Sequence, residues 1–244
     1  MTGGRMFAAA LAALAIFSLP AAEAAAQQRR PAARPAVARD WLQVAVRTPE
    51  GGVRVGNPAA PVKLVEYGSI TCPHCAAFAN QGGTAGLYAH VRTGRVSWEY
   101  RPYMIFPTDP GVFAALGCLA PGQFFGAVEQ LYATQQSWAS LAMAHIEANR
   151  SQLQGMSEPQ RSVALFRAGQ LDGLFRARGL APVQINACIA SPVNLRRVAE
   201  ITRTGAQRYG VRGTPTFFIN GVQTAPVEFF YELEPLLIQA GARR

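Results

Sequence analysis

The residues best suited to chemistry lie in the segment ITCPHCAAF, residues 70–78. Two cysteines, Cys72 and Cys75, enclose only Pro73 and His74. This spacing is typical of two kinds of site: zinc sites, and redox centres that alternate between a dithiol and a disulfide. A purely structural bridge is disfavoured, because a disulfide that closes so short a loop constrains little of the unfolded chain.

The remaining cysteines do not complete a zinc site. A structural zinc ion takes four ligands, which are commonly supplied by two such cysteine pairs. Here Cys118 and Cys188 each stand alone in the sequence. The spacing therefore favours a redox centre and predicts no metal ligand and no cofactor.

The elements around the pair predict how it works. VKLVEYG, residues 62–68, has the apolar character of a buried strand, and helical spacing follows the first cysteine. A strand that feeds into a helix places Cys72 at the helix N-terminus, where free amides and the helix dipole favour a thiolate. Pro73 is tolerated in the first turn, and a protonated His74 adds positive charge. We expect Cys72 to be the nucleophile and Cys75 the more buried resolving thiol.

The amino-terminal part of the 244-residue chain has a different character. Residues 1–26 combine an early arginine, an apolar run and small residues, a pattern that predicts a cleaved signal peptide and a periplasmic location. Residues 27–50 are rich in Pro, Ala and Arg and predict a solvated linker. The formal net charge is +9, but export and the lack of aromatic residues among these arginines argue against a nucleic-acid partner.

The rest of the chain predicts an α/β fold that is interrupted by helices. Strand patterns occur at residues 53–55, 62–67 and 95–106, and again around a hairpin signal at Asn220-Gly221. Residues 109–206 have helical periodicity, with breaks expected near Pro121, Ser140 and Pro182. A closing amphipathic helix follows the hairpin. A helical insertion therefore separates two parts of one domain, residues 51–108 and 207–244.

Two motifs together resemble a known family. CPHC after a strand, and GVRGTPTFFINGV downstream of a helical block, are similar to the DsbA-like branch of the thioredoxin superfamily over residues 53–242. The resemblance implies a thioredoxin-like fold with an inserted helical domain and thiol:disulfide oxidoreductase activity. It also implies that Pro215 is cis and that Thr214 offers its main chain to an extended substrate peptide beside Cys72.

The resemblance also implies a role for Glu66, because family members carry a buried acid six residues before the first cysteine. A buried Glu66 would have a raised pKa and would take a proton from Cys75 when a mixed disulfide resolves. The alternative is an acid at a strand end that reaches solvent or pairs with Lys63 or Arg101. The residues alone leave both interpretations open.

Cys118 and Cys188 fall within the helical block and predict a second disulfide, since export favours pairing over free thiols. Trp98, Trp138, Phe124 and Phe125 are expected to line the core or a groove.

The direction of the reaction is predicted from the dipeptide between Cys72 and Cys75. Pro-His matches the oxidants of the family, which implies that the protein introduces disulfides into unfolded or reduced exported proteins and is recharged by a membrane redox partner. The alternatives are an isomerase or reductase of the same fold, or a protein that binds a soft ion such as Cu(I) through the cysteines and His74. An isomerase is disfavoured because residues 27–50 do not resemble a dimerisation module.

Overall fold

The structure is a computed structural model that describes Met1 and residues 39–243. Residues 2–38, which hold nearly all of the predicted signal peptide and half of the predicted linker, lie outside the described residues. Among the described residues, no helix has both the length and the apolar character that crossing a membrane requires.

A six-stranded mixed sheet forms the centre of residues 39–243, with strand order β1-β2-β4-β3-β5-β6. Only the pairing of β3 with β4 is parallel, and the other neighbours are antiparallel. All residues of β4 and most of those of β3, the two central strands, are buried, as expected for strands covered by helices on both faces. The strands are β1 (Ala45–Arg47), β2 (Val53–Gly56), β3 (Val62–Gly68), β4 (Val96–Pro102), β5 (Thr216–Ile219) and β6 (Val222–Gln223).

Part of the predicted linker, residues 27–50, is folded, because it includes the strand at one edge of the sheet. Trp41–Gln43 forms a turn of 3-10 helix, and β1 pairs with β2. Asp40 caps the turn by accepting a hydrogen bond from the Leu42 amide at 3.1 Å. The side chains of Trp41 and Leu42 pack against the core. Residues 41–47 therefore belong to the folded domain. The Pro, Ala and Arg content of the segment gave no sign of this.

Eleven helices among residues 39–243 surround the sheet. The first, α1, follows β3 and is joined to α2 by a short π-helical turn, Ala79–Gly83. Eight helices, α3 to α10, lie between β4 and β5 and form the helical insertion. The helices are α1 (Pro73–Phe78), α2 (Thr84–Arg92), α3 (Asp109–Leu116), α4 (Pro121–Ala133), α5 (Gln135–Ala148), α6 (Arg150–Gln154), α7 (Glu158–Ala168), α8 (Asp172–Arg176), α9 (Pro182–Ile189), α10 (Pro192–Arg208) and α11 (Phe230–Gln239).

The predicted helix breaks agree with the structure in two of three places. Pro121 and Pro182 begin α4 and α9, where a proline in the first turn loses no hydrogen bond. The break near Ser140 is wrong, because Ser140 lies inside α5. Its hydroxyl donates to the Gln136 carbonyl at 2.6 Å, four residues back, so the helix continues through it.

The helical insertion packs on the sheet through one large apolar core. Trp98, Phe124, Phe125 and Trp138 are all buried in it, as the sequence predicted. A disulfide, Cys118–Cys188, joins the end of α3 to α9 inside the insertion. The core fixes the insertion against the sheet from which Cys72 emerges, and the bridge ties two parts of the insertion to each other.

Candidate active site

The cysteine pair lies where β3 gives way to α1. Residues 69–71 form the connecting loop, and Cys72 is the N-cap residue of α1 with an extended backbone. Pro73 occupies the first helical position, where its fixed φ suits the turn. Cys72 is 4% exposed and Cys75 is fully buried, and both are free thiols. The single turn between them brings the two sulfur atoms together on one side of the helix.

The surroundings of Cys72 favour its thiolate. A hydrogen bond from the Cys75 thiol, with further ones from Thr214 and from the backbone amides of Cys75 and His74, lowers the pKa of Cys72 to about 5. Burial acts in the opposite direction and is outweighed. A thiolate that accepts several donors at a helix start is the stable form of this residue at neutral pH.

The pKa of Cys75 is shifted in the opposite direction. Burial raises the pKa of Cys75 well above the usual value, and the negative charges of the Cys72 thiolate and of Glu66 add to the effect. Cys75 is therefore held as a thiol whose proton is donated to Cys72. The pair consists of a nucleophile that is 4% exposed, Cys72, and a fully buried proton donor, Cys75.

Thr214 lies across from the nucleophile. The Cys72 thiol donates to the Thr214 carbonyl at 3.2 Å, and the Thr214-Pro215 bond is cis. The Thr214 hydroxyl is buried and has no hydrogen-bond partner within the part of the chain that the structure describes. A groove lined by residues 212–217 and 223–227 opens beside this segment. The Thr214 carbonyl thus accepts a hydrogen bond from the protonated sulfur, and the Thr214 hydroxyl can donate one to the thiolate.

Glu66 is buried in β3, at 2% exposure. One carboxyl oxygen accepts a hydrogen bond from the Trp98 indole at 3.1 Å. Burial raises the pKa of Glu66 to about 8, although the Trp98 hydrogen bond lowers it. The strand-end alternative is wrong, because Arg101 pairs with Glu99 at 2.7 Å and the Lys63 ammonium donates to the Pro58 carbonyl at 2.5 Å.

His74 contributes less than the sequence predicted. Its side chain is 70% exposed and faces Glu228 at 4.0 Å. The contribution of this residue to the Cys72 thiolate comes from its backbone amide. Among residues 39–243, no cluster of three or more His, Cys, Asp or Glu side chains has the arrangement of a metal site.

Sequence reasoning missed three residues of the site. Trp98 was expected only to line the core or a groove, yet it hydrogen-bonds Glu66. Asp109 and Gln135, both in the helical insertion, contact the loop that leads to Cys72. The buried position of Asp109 at the start of α3 has a weak sequence signal, an acid in a first helical turn, and Gln135 has none.

Comparison with known proteins decides the family. The sequence profile described as Thioredoxin matches residues 48–233. The chain belongs to the thioredoxin family. A Rickettsia typhi protein that carries the provisional name protein-disulfide oxidoreductase is 26% identical over 171 residues, which are 70% of this chain and 55% of that protein. A Rickettsia prowazekii protein with the same provisional name is 25% identical over 199 residues, or 81% of this chain and 62% of that protein.

Solved structures support the same fold. The protein-disulfide isomerase from Novosphingobium aromaticivorans has a TM-score of 0.71 and 27% identity, and the match covers 77% of this chain and 96% of that one. The alpha-DsbA1 protein of Wolbachia pipientis has a TM-score of 0.60 and 17% identity over 80% of this chain and 93% of that one. The predicted thioredoxin-like fold of DsbA type is confirmed. The chain nevertheless spans only 55% and 62% of the two Rickettsia relatives.

Proposed function

We propose that this protein is an exported thiol:disulfide oxidoreductase that introduces disulfides into other exported proteins through Cys72 and Cys75. The observation that carries the proposal is that one site shifts the pKa values of two neighbouring thiols in opposite directions. The pKa of Cys72 is lowered to about 5, whereas that of Cys75 is raised well above its usual value. A pair arranged in this way has one sulfur for exchange with substrate and one for closing the disulfide.

The reaction follows from this asymmetry. A substrate thiol loses its proton and attacks the Cys72 sulfur of the oxidised pair. A mixed disulfide forms, and Cys75 leaves with the bonding electrons and takes up the proton that the substrate thiol released. A second substrate thiolate then attacks the substrate sulfur of the mixed disulfide and releases the Cys72 thiolate. The substrate has lost two electrons and gained a disulfide, and the pair has become the dithiol.

The stability of the leaving thiolate favours this direction. A disulfide is a strong oxidant when its reduced form is stabilised, and the hydrogen bonds to Cys72 stabilise the reduced form alone. A low pKa also makes Cys72 a good leaving group in the second step.

Substrate contact is proposed at Thr214. Its carbonyl lies 3.2 Å from the Cys72 sulfur, so a peptide that pairs with this main chain would bring its own cysteine to Cys72. The adjoining groove of residues 212–217 and 223–227 would take the flanking part of the peptide. Main-chain pairing of this kind accepts many sequences, which suits a protein that serves varied reduced polypeptides.

Glu66 is proposed as the proton acceptor for Cys75 when the pair is reoxidised. Its carboxyl is buried, and a pKa raised to about 8 lets it exchange a proton near neutral pH. The charge of Glu66 also contributes to the raised pKa of Cys75, so the two groups influence each other's protonation.

The cellular setting is part of the proposal. The signal pattern of residues 1–26 supports periplasmic export. The Cys118–Cys188 disulfide supports it further, because disulfides persist in oxidising compartments. A membrane redox partner would then reoxidise the Cys72 and Cys75 thiols.

A second candidate is an isomerase of the same fold. It is favoured by one observation, the similarity to the Novosphingobium aromaticivorans protein-disulfide isomerase at a TM-score of 0.71. Both candidates use the same pair, but an isomerase acts through the reduced form of Cys72.

The deciding experiment is a redox equilibrium. The mature protein with Cys118→Ala and Cys188→Ala would be equilibrated with glutathione buffers at neutral pH, and the Cys72 to Cys75 disulfide would be quantified. A potential near about −120 mV marks a disulfide donor, and one near about −180 mV favours the isomerase. A value near about −270 mV would contradict the proposed direction.

A further inference from the structure

We propose that Asp109 and Gln135 of the helical insertion are positioning residues that hold the loop of residues 69–72, and with it the Cys72 sulfur, in the geometry that stabilises the thiolate. This role belongs to the helical insertion. It rests on the proposed function only where the reaction of Cys72 with a substrate is concerned. Neither residue touches the reacting sulfur atoms.

The loop itself has few bonds of its own. Residues 69–71 lie between β3 and α1 and belong to neither element. Within the loop, the Cys72 amide donates to the Ser69 carbonyl at 3.2 Å. Ser69 and Ile70 are completely buried, so their polar groups need partners within the protein.

Asp109 supplies the first set of partners. One carboxylate oxygen accepts from the Thr71 amide at 3.2 Å and from the Thr71 hydroxyl at 2.6 Å. The other accepts from the Ser69 hydroxyl at 2.8 Å. The same oxygen accepts from the amides of Ile105 at 2.8 Å and Phe106 at 3.0 Å.

These five donors meet on a fully buried carboxyl at the start of α3. A buried carboxylate is tolerated only where such donors surround it. Asp109 therefore ties the loop before Cys72 to the segment that enters the insertion.

Gln135 supplies the second set. Its side-chain nitrogen donates to the Ile70 carbonyl at 2.8 Å and to the Cys72 carbonyl at 2.9 Å. Because both partners are acceptors only, the nitrogen must face the loop, and both of its hydrogens are used. Gln135 is buried at the first position of α5. It fixes the orientation of the peptide that joins Cys72 to Pro73.

The two sets together cover every residue of the loop. Ser69 and Thr71 are held through Asp109, and Ile70 and Cys72 through Gln135. Tyr132 in α4 adds a hydrogen bond from its hydroxyl to the Ser69 carbonyl at 3.2 Å. The Cys72 thiolate is stabilised by hydrogen bonds, and a hydrogen bond weakens steeply when its distance or angle changes. A small shift of this loop therefore weakens all of these hydrogen bonds at once.

The test is the pH dependence of Cys72 alkylation in the reduced full-length protein. Gln135→Met keeps the size of the side chain and removes both donors. We expect the midpoint of alkylation to rise by about one pH unit, which is about a tenfold loss of thiolate below the midpoint. Gln130→Met, at an exposed position of α4, is the matched control and leaves the midpoint unchanged.

The second variant, Asp109→Asn, is expected to raise the midpoint in the same direction. If it does not fold, Thr71→Val removes one donor to Asp109 and tests the same contact. The inference would be overturned if the midpoint were unchanged both in folded Gln135→Met protein and in Asp109→Asn, or in Thr71→Val where that variant replaces it. A merely structural role would lower stability without moving the titration of Cys72.

The outcome is separable from that of the proposed function. Alkylation measures the thiolate of Cys72 whether or not the protein oxidises a substrate. A parent protein that fails to transfer its disulfide to a reduced polypeptide would contradict the function, and the midpoints of the variants would still decide the positioning role.

Discussion

Trp98 donates its indole N–H to the carboxyl of Glu66 at 3.1 Å, inside the sheet and behind the cysteine pair. The two residues lie on the parallel strands β4 and β3, where Glu66 is opposite Tyr100 and Leu64 is opposite Trp98. The indole is a neutral donor, so it offsets only part of the cost of burying a negative charge. Burial therefore raises the pKa of Glu66 to about 8, and the Trp98 hydrogen bond opposes this rise only in part.

The first prediction concerns stability and pH. An acid whose pKa is higher in the folded protein binds more protons there, so the free energy of unfolding falls as pH rises between the unfolded value, 4.5, and about 8. We expect urea denaturation of the oxidised protein, in which Cys72 does not titrate, to show a loss of a few kcal/mol over this range. Glu66→Gln should abolish most of the loss, whereas Glu147→Gln at an exposed site should retain it. Equal slopes in all three proteins would contradict a buried, proton-binding Glu66.

The second prediction concerns the Cys75 thiol. Its hydrogen bond is the largest contribution to the lowered pKa of Cys72. Cys75→Ala should therefore raise the alkylation midpoint of Cys72 from about 5 by about one unit or more. The measurement is the rate of reaction with iodoacetamide across pH, followed by peptide mass analysis to assign the modified residue. A midpoint near that of a free cysteine in the parent protein would refute the whole electrostatic account of the site.

The third prediction concerns the Thr214 hydroxyl. It contributes to the lowered pKa of Cys72, although it has no partner among the described residues while the sulfur is protonated. Thr214→Val keeps the shape of the side chain and removes this donor, so the absorbance of the thiolate near 240 nm should titrate at a higher pH than in the parent. Thr214→Ser should restore most of the difference. A valine variant that titrates like the parent would show that the hydroxyl plays no part.

The fourth prediction concerns the second disulfide. Cys118–Cys188 closes a loop of 70 residues, for which the chain-entropy estimate is about 4 kcal/mol. Replacing both cysteines by alanine should lower the free energy of unfolding by about that amount and leave the Cys72 midpoint unchanged. Denatured, unreduced parent protein should offer neither residue to an alkylating reagent. Free reaction of both would disprove the bridge.

The sequence predicts the local elements of the site well, because they depend on neighbouring residues. The apolar run of β3 followed by Pro73 was enough to place Cys72 at a helix start. The hairpin at Asn220-Gly221 was equally local, since both residues adopt positive φ there. The cis bond before Pro215 could be expected only from the resemblance, because few such bonds are cis in general.

The contacts that sequence reasoning missed are all distant along the chain. Gln135 reaches its partners across 65 and 63 residues, and Asp109 meets Thr71 across 38. Nothing in their own neighbourhood marks them, since their role depends on how the insertion docks. The same reason left Glu66 undecided, because its burial is set by the strands on either side of it, β4 and β5.

The separation of β3 from β5 by the insertion has a consequence for biosynthesis. β5 and Thr214 lie beyond Cys188 in the chain, so during translation the site is incomplete until the whole insertion and β5 have been synthesised. Cys118 emerges 70 residues ahead of Cys188, an interval of about 4–14 s at ordinary elongation rates. During that interval Cys118 is an unpaired thiol, and the only other cysteines already synthesised are the redox pair, Cys72 and Cys75.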